Sequence, residues 1–415
     1  MDVRQSPPVS RRIASPRGLH LDRRRVGILA AILLALQVAG LLFVVAGTHG
    51  WIVRLSRPTT TDFVSFYAAG SLAAAGKPAL AYNRAAHLAA EEKVAGDGIG
   101  YQFFNYPPVY LLPFALLARL PYLVAFGLFE ATTLAFYLLV GLRILGERGG
   151  AALLALLAVP VVFWNIGLGQ NGFLTAALFG AATLSIDRRP ALSGLLFGLT
   201  CYKPQFGLLV PLALAAGGYW RAIVTASATV AALVLLSAAV FGAATWGAFF
   251  NAIGAAPATY GSGRILFAGM ANPFGGARLL GADVPLAYAF QAVLAAIAAI
   301  VVAVVWRRHL SLPVRAAVLC AATLMAAPIA LLYDLLIGVV AAAWLVRDRR
   351  APAAAPWEGW VLAVLCLAAI GGPRTGEIWR VPLYPLIALA IFTLAAARAW
   401  REMVLRTAPQ AFTQS

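Results

Sequence analysis

The sequence predicts an all-α polytopic membrane protein with about twelve transmembrane helices, and three observations carry that prediction. First, 62% of the 415 residues are hydrophobic and 11% are charged, whereas soluble domains run near half apolar and a quarter charged. Second, apolar runs recur along the chain at lengths suited to a hydrocarbon core ~30 Å thick. Third, basic residues gather in short loops between those runs, among them Asp187-Arg188-Arg189-Pro190, Arg307-Arg308-His309 and Arg347-Asp348-Arg349-Arg350. This is the positive-inside pattern. The short alternating strands of a β-barrel are not visible. The formal net charge of +17 therefore points to anionic lipid heads rather than to nucleic acid.

Taken in order, residues 1–25 are rich in Pro, Ser and Arg and read as a basic, disordered cytoplasmic tail. The apolar stretch 26–47 is too long for the core of a signal peptide and reads as a retained first span. Residues 48–121 form a long first extracytoplasmic loop. Within it, Phe63 to Ala75 reads as a short amphipathic helix ended by the Gly76-Lys77-Pro78 turn. Arg84 to Ala95 reads as a second, more polar helix. Pro107-Pro108 suits the first turn of a helix and not its interior. Residues 108–119 are short for a span and read as interfacial or re-entrant. The remaining spans are 122–143, 150–165, 171–187, 190–202, 204–219, 221–243, 285–306, 313–333, 335–347, 357–372 and 381–399. Residues 244–284 make a second outer loop and 400–415 a cytoplasmic tail.

With both ends inside, 21 of the 32 Lys and Arg residues fall on the cytoplasmic side. Of the eleven outside, six lie in the long first loop, where the charge rule is weak. Several spans are short and interrupted by Gly or Pro, around Pro190 to Pro211 and in 335–347. Such backbone is tolerated only inside protein or beside a wet cavity. No internal repeat is visible, which counts against transporter folds.

Ionisable groups at membrane depth are costly and are functional candidates. Four stand out. Asp62 follows Thr59-Thr60-Thr61, Glu130 lies inside the second span, Lys203 interrupts Leu199 to Gln205, and Asp334 interrupts Leu331 to Leu335. On the topology above, Asp62, Lys203 and Asp334 share the outer face. Each also has a plain structural role open to it. Asp62 and Asp334 are placed to cap the helices that follow. Lys203 is placed to snorkel. Glu130 reads as a buried structural carboxyl, and Gly169-Gln170-Asn171-Gly172 as a polar turn.

The chemical alternative is a transfer from a lipid-linked phosphate. Its leaving phosphate needs a cation, and Lys203 is the rare one at that depth. An acceptor hydroxyl needs a base, and a carboxylate on the same face serves. No nucleotide-binding glycine loop and no HExxH zinc motif is present. Cys201, Cys320 and Cys366 are widely spaced in apolar segments, read as small buried hydrophobes, and offer no zinc spacing.

An ordered set of motifs runs through the chain. Asp62-Phe63 is followed by Tyr67-Ala68-Ala69-Gly70, then Gly76 with Ala81-Tyr82, then Phe104-Asn105-Tyr106-Pro107-Pro108. Next come Gly169-Gln170-Asn171-Gly172, Gly194 to Gly198 leading into Lys203-Pro204-Gln205, and a late Tyr333-Asp334-Leu335. Each motif is short; their order and spacing are what is specific. Over residues 60–345 the chain resembles the polyprenyl-phosphate-sugar-dependent glycosyltransferases of the GT-C fold. Within them it is similar to glycosyltransferase family 87, a bacterial group that includes a mycobacterial phosphatidylinositol mannosyltransferase.

The resemblance implies a GT-C transmembrane domain over 26–399, set in the bacterial cytoplasmic membrane with its active site facing the periplasm. It implies inverting transfer of a hexose, mannose by default, from a polyprenyl-phosphate donor to a lipid or glycan acceptor. Asp62 becomes the expected catalytic base. Lys203, Gln205, Gln170, Asn171, Tyr106 and Arg264 are expected near the donor phosphate or sugar, and Asp334 is a second acidic candidate. No cofactor, no obligatory metal and no nucleic-acid partner are expected. The acceptor stays open, because 244–284 matches no pattern. The competing reading is a transporter or flippase of a lipid-linked sugar.

Overall fold

The computed structural model describes residues 23–47, 61–147, 149–254 and 266–407. Among these residues every regular element is helical, apart from an isolated bridge between Met270 and Leu331. Five helices are long and apolar enough to cross a membrane: Arg24–Phe43, Tyr122–Leu145, Trp220–Phe241, Val284–Arg307 and Leu383–Thr407. Two broken pairs raise the total to seven if each pair is one span. Gly150–Leu157 meets Pro160–Leu168 at 56°, and Glu358–Ala368 meets Pro373–Trp379 at 91°.

The other expected spans are shorter helices, among them Gly172–Ser185, Pro190–Tyr202, Pro204–Ala216 and Leu312–Ala326. Of the twelve spans expected, five to seven among the described residues have the length and composition to cross a membrane. Proline is the reason at several breaks, since Pro160, Pro204 and Pro373 each withhold a backbone donor and start a new helix. At 1.5 Å per residue, a helix the length of Gly172–Ser185 reaches ~21 Å, short of a ~30 Å core.

The short helices Gly172–Ser185 and Leu312–Ala326 lie inside, and the long helices Arg24–Phe43 and Trp220–Phe241 lie outside. Leu312–Ala326 is buried at every position from Val314 to Ala326, as expected of a helix apolar on all sides. It packs against Val284–Arg307, Leu336–Arg347 and Leu383–Thr407. By contrast, Leu36, Leu123, Val224, Leu235 and Ile300 are exposed on the long helices. So much apolar surface would be a liability in water and is the lipid-facing side in a bilayer.

The first-loop segment has a core of its own. Phe63, Phe66, Tyr106, Tyr110, Phe114 and Phe129 form an aromatic cluster. Helix Phe63–Ala74 packs there against Leu111–Leu117 and Arg84–Ala95. Ring pairs at 5–6 Å, such as Phe63 with Phe129 at 5.6 Å and Phe66 with Tyr110 at 5.4 Å, each add about 0.5–1.5 kcal/mol beyond burial.

The two ends of the bundle differ chemically. At one end Arg315 pairs with Asp187 at 2.9 Å, with the Tyr219 hydroxyl bridging them. At that end, Arg347 donates to the carbonyls of Arg143 and Ile144 at 3.0 and 2.8 Å, satisfying the last turn of Tyr122–Leu145. Arg398 and Arg401 pair with Glu358, and Glu402 accepts from Ser311. The opposite ends of these same helices carry Tyr122, Gly172, Ala326 and Leu336, and they surround Asp62, Lys203 and Asp334.

Candidate active site

Asp62 stands one residue before helix Phe63–Ala74. Its side chain makes no capping hydrogen bond, so the capping role open to it in the sequence is not the one it takes. Two contacts fix it instead. Its backbone N–H donates to Leu168 O at 2.7 Å. Its Oδ2 accepts from Gln170 Nε2 at 2.9 Å. Oδ1 has no hydrogen bond to a described residue, and the residue stays partly exposed. Burial holds the carboxyl above its ordinary range, and the Gln170 hydrogen bond pulls the other way. A carboxylate with a raised pKa is a better proton acceptor near neutrality.

The turn Gly169 to Gly172 is the hub. Gly169 closes helix Pro160–Leu168 in the left-handed region at φ 67°, which favours glycine. A side chain there would also strike Phe63 Cβ at 2.8 Å. Asn165 braces the turn twice. Its Nδ2 donates to Gln170 O at 2.8 Å, and its Oδ1 accepts from Gly172 N at 2.9 Å. Gln170 Oε1 accepts from Asn171 N at 3.3 Å, which orients the amide so that Nε2 faces Asp62. Gly172 lies so close to the Tyr333 carbonyl that a Cβ would sit 2.6 Å from it. The turn that holds Asp62 is thus pressed against the segment that carries Asp334.

Asn171 Nδ2 donates to the Tyr110 hydroxyl at 3.0 Å. Tyr110 is stacked between Tyr106, at 4.6 Å, and Tyr202, at 5.0 Å. The hydroxyls of Tyr202 and Thr175 share a hydrogen bond of 2.7 Å. Tyr106 lies within electrostatic reach of both Asp62 and Asp334.

Lys203 does not snorkel. Its Nζ donates to Asp334 Oδ1 at 2.7 Å, and both side chains are 4% exposed. The ammonium also lies 4.8 Å from the centre of the Tyr333 ring. The second oxygen of Asp334 accepts from Leu331 N at 2.9 Å, so Asp334 bonds its own helix start and carries the ion pair as well. An ammonium has three hydrogens, and the pair with Asp334 uses one.

The structure therefore brings Asp62, Gln170, Asn171, Tyr106, Lys203 and Asp334 to one end of the bundle. Gln205 sits beside them on the short turn Pro204–Gly207, partly exposed. Arg264 lies outside the described residues. Glu130 is buried beside Asn165. Asn165, Tyr110, Thr175 and Tyr202 were not singled out from the sequence. Asn165 had a signal, a lone amide in the apolar run Val161 to Ile166. Among the described residues no cluster of His, Cys, Asp or Glu is grouped to hold a metal ion. A groove of about 460 Å³ lined by Ala191, Leu195, Thr225 and Thr229 has no ionisable lining residue and is separate from this site.

The sequence model of glycosyltransferase family 87 matches residues 103–333, more than half of the chain. The chain belongs to glycosyltransferase family 87. It is a multi-pass membrane glycosyltransferase. The family match takes in Tyr106, Gln170, Asn171, Lys203 and Gln205 and stops one residue short of Asp334. Asp62 lies before it, and reaches the matched region through Gln170 and Leu168. Comparison with curated proteins and with solved structures gave no match.

Proposed function

We propose that the protein transfers a hexose, mannose by default, from a polyprenyl-phosphate donor to a hydroxyl of a lipid or glycan acceptor, with inversion. The observation that supports this most is the Asp62 carboxylate, tied by Gln170 to the same end of the bundle as the buried Lys203–Asp334 pair. Asp62 takes the proton of the acceptor hydroxyl through Oδ1. The oxygen attacks the anomeric carbon as the bond from that carbon to the phosphate oxygen breaks. The electron pair leaves with the polyprenyl phosphate.

Lys203, held by Asp334, offers its remaining N–H groups to the departing phosphate. Gln205, on the same short turn, completes that side. Asn171 and Tyr106 line the sugar side. A periplasmic placement of this end is supported by Arg188, Arg189, Arg307, Arg308, Arg347, Arg349 and Arg350 at the opposite end. Family membership favours this reading over a transporter.

The test is incubation of purified protein with radiolabelled polyprenyl-phosphate mannose and a cell lipid extract. A new labelled product of inverted anomeric configuration is expected. Movement of label across vesicles with no new product would overturn the proposal in favour of transport.

A further inference from the structure

The first-loop helix Arg84–Ala95 places His87 and Glu91 four residues apart, facing inward, and neither is exposed. His87 Nε2 lies 3.0 Å from Ser65 O. A carbonyl only accepts, so Nε2 carries a hydrogen, and in a neutral ring Nδ1 is then a bare acceptor. That Nδ1 lies 3.5 Å from Glu91 Oε1. Among the described residues neither atom has a hydrogen-bond partner, and both are buried. Two acceptors facing each other without a proton repel, so one proton belongs between them. The other Glu91 oxygen accepts from Gln102 N at 3.1 Å, on the irregular segment that leads to Tyr106.

Ser65 belongs to the first turn of helix Phe63–Ala74, and its N–H donates to the Asp62 carbonyl at 3.1 Å. A path of contacts therefore runs from Asp62 through Ser65 and His87 to Glu91. We propose that His87 and Glu91 are positioning residues for Asp62, sharing one proton that lets His87 clamp the turn carrying the base. This rests on the assignment of Asp62 as the base.

The surroundings agree. Burial pushes Glu91 up to about 8, against the Gln102 hydrogen bond, and the charges of Asp62 and Glu92 push the same way as burial. Burial pulls His87 down to about 4. The proton thus rests on Glu91 and the pair is neutral at pH 7. The other groups facing it are Tyr101, pushed up to about 12, and Arg84, whose guanidinium lies 4.7 Å from the Tyr101 ring centre. Loss of the proton above that range sets a carboxylate against a bare ring nitrogen. It also adds a second negative charge within reach of Asp62, and the clamp on Ser65 opens.

The test compares kcat and KM across pH for the wild type and Glu91→Gln, alongside infrared titration of buried protonated carboxyls. Gln mimics protonated Glu91: its amide donates to Nδ1 and its carbonyl accepts from Gln102. Wild-type kcat should fall through a limb near pH 8. Glu91→Gln should keep kcat within about twofold at pH 7 and lose that limb. His87→Ala should lower kcat by about tenfold or more with little change in KM. The difference between the wild-type and Glu91→Gln infrared spectra at pH 7 should show the loss of one protonated-carboxyl band.

A Glu91→Gln protein with the wild-type pH profile, or one that does not fold, would overturn the proposal, as would an infrared band unaltered by the substitution. Absence of transfer by the wild type would count against the functional reading instead, since the infrared titration tests the shared proton without any substrate.

Discussion

Asp62 is held by its backbone and by one side-chain oxygen, which leaves the other oxygen without a hydrogen bond among the described residues. Gln170 is the residue that makes this arrangement specific. Hydrogen bonds to charged groups contribute about 1.5–3 kcal/mol. Gln170→Ala should therefore lower kcat by roughly ten- to a hundredfold with KM nearly unchanged, since the loss falls on positioning of the base. Steady-state kinetics on the folded variant checks this, and unchanged kcat would remove Gln170 from the site.

Lys203 and Asp334 call for a different design, because a buried pair broken on one side leaves an uncompensated charge costing about 3–5 kcal/mol. Lys203→Met alone should lower the melting temperature and abolish transfer. Lys203→Met with Asp334→Leu should regain the melting temperature, because an apolar pair replaces the ionic one. If Lys203 serves the phosphate, transfer should stay absent in that double variant. Recovery of transfer together with stability would make the pair purely structural.

At the scale of elements, the turn between helices Pro160–Leu168 and Gly172–Ser185 ties the bundle to Asp62, the proposed base. Gly169→Ala puts a side chain into a left-handed backbone conformation, costing about 1–2 kcal/mol. It also pushes on Phe63, next to Asp62. The expected outcome is a lower melting temperature and a kcat loss larger than the stability loss alone explains. A stable, fully active Gly169→Ala variant would contradict the coupling.

Much at this scale was legible in the sequence. The long apolar runs gave helices, and the Pro107-Pro108 and Gly76 signals fall where helices start or end. The short interior helices were not legible as such. Hydropathy registers how apolar a run is, and a helix buried by protein is as apolar as one buried by lipid. The pairing of Lys203 with Asp334 was also out of reach, since the partners are 131 residues apart and no local period relates them. The two charges were legible as functional candidates one by one. The Asn165 brace escaped for a related reason: an amide in an apolar run signals a need for partners without naming them. His87 and Glu91 were hidden in a helix that reads as the more polar of the two in the first loop, although their four-residue spacing puts them on one face.

At the scale of the whole molecule, the bundle has a basic end and an end that gathers Asp62, Lys203 and Asp334, joined by helices that run from one to the other. That polarity fixes the orientation if the positive-inside rule holds. In a cysteine-free background, Lys77→Cys should react with an impermeant thiol reagent on intact cells. Arg308→Cys should react only after permeabilisation. Both positions are exposed, and the reverse pattern would place the site on the cytoplasmic face.

The central claim is that a carboxylate outside the family-matched region does the chemistry for residues inside it. The most direct measurement is transfer from polyprenyl-phosphate mannose by Asp62→Asn, with donor binding followed on the same preparation. Asn keeps the shape and can still accept from Gln170, but it cannot take a proton. Loss of transfer with donor affinity retained is the predicted result, and near-normal turnover by the folded Asp62→Asn protein would contradict it.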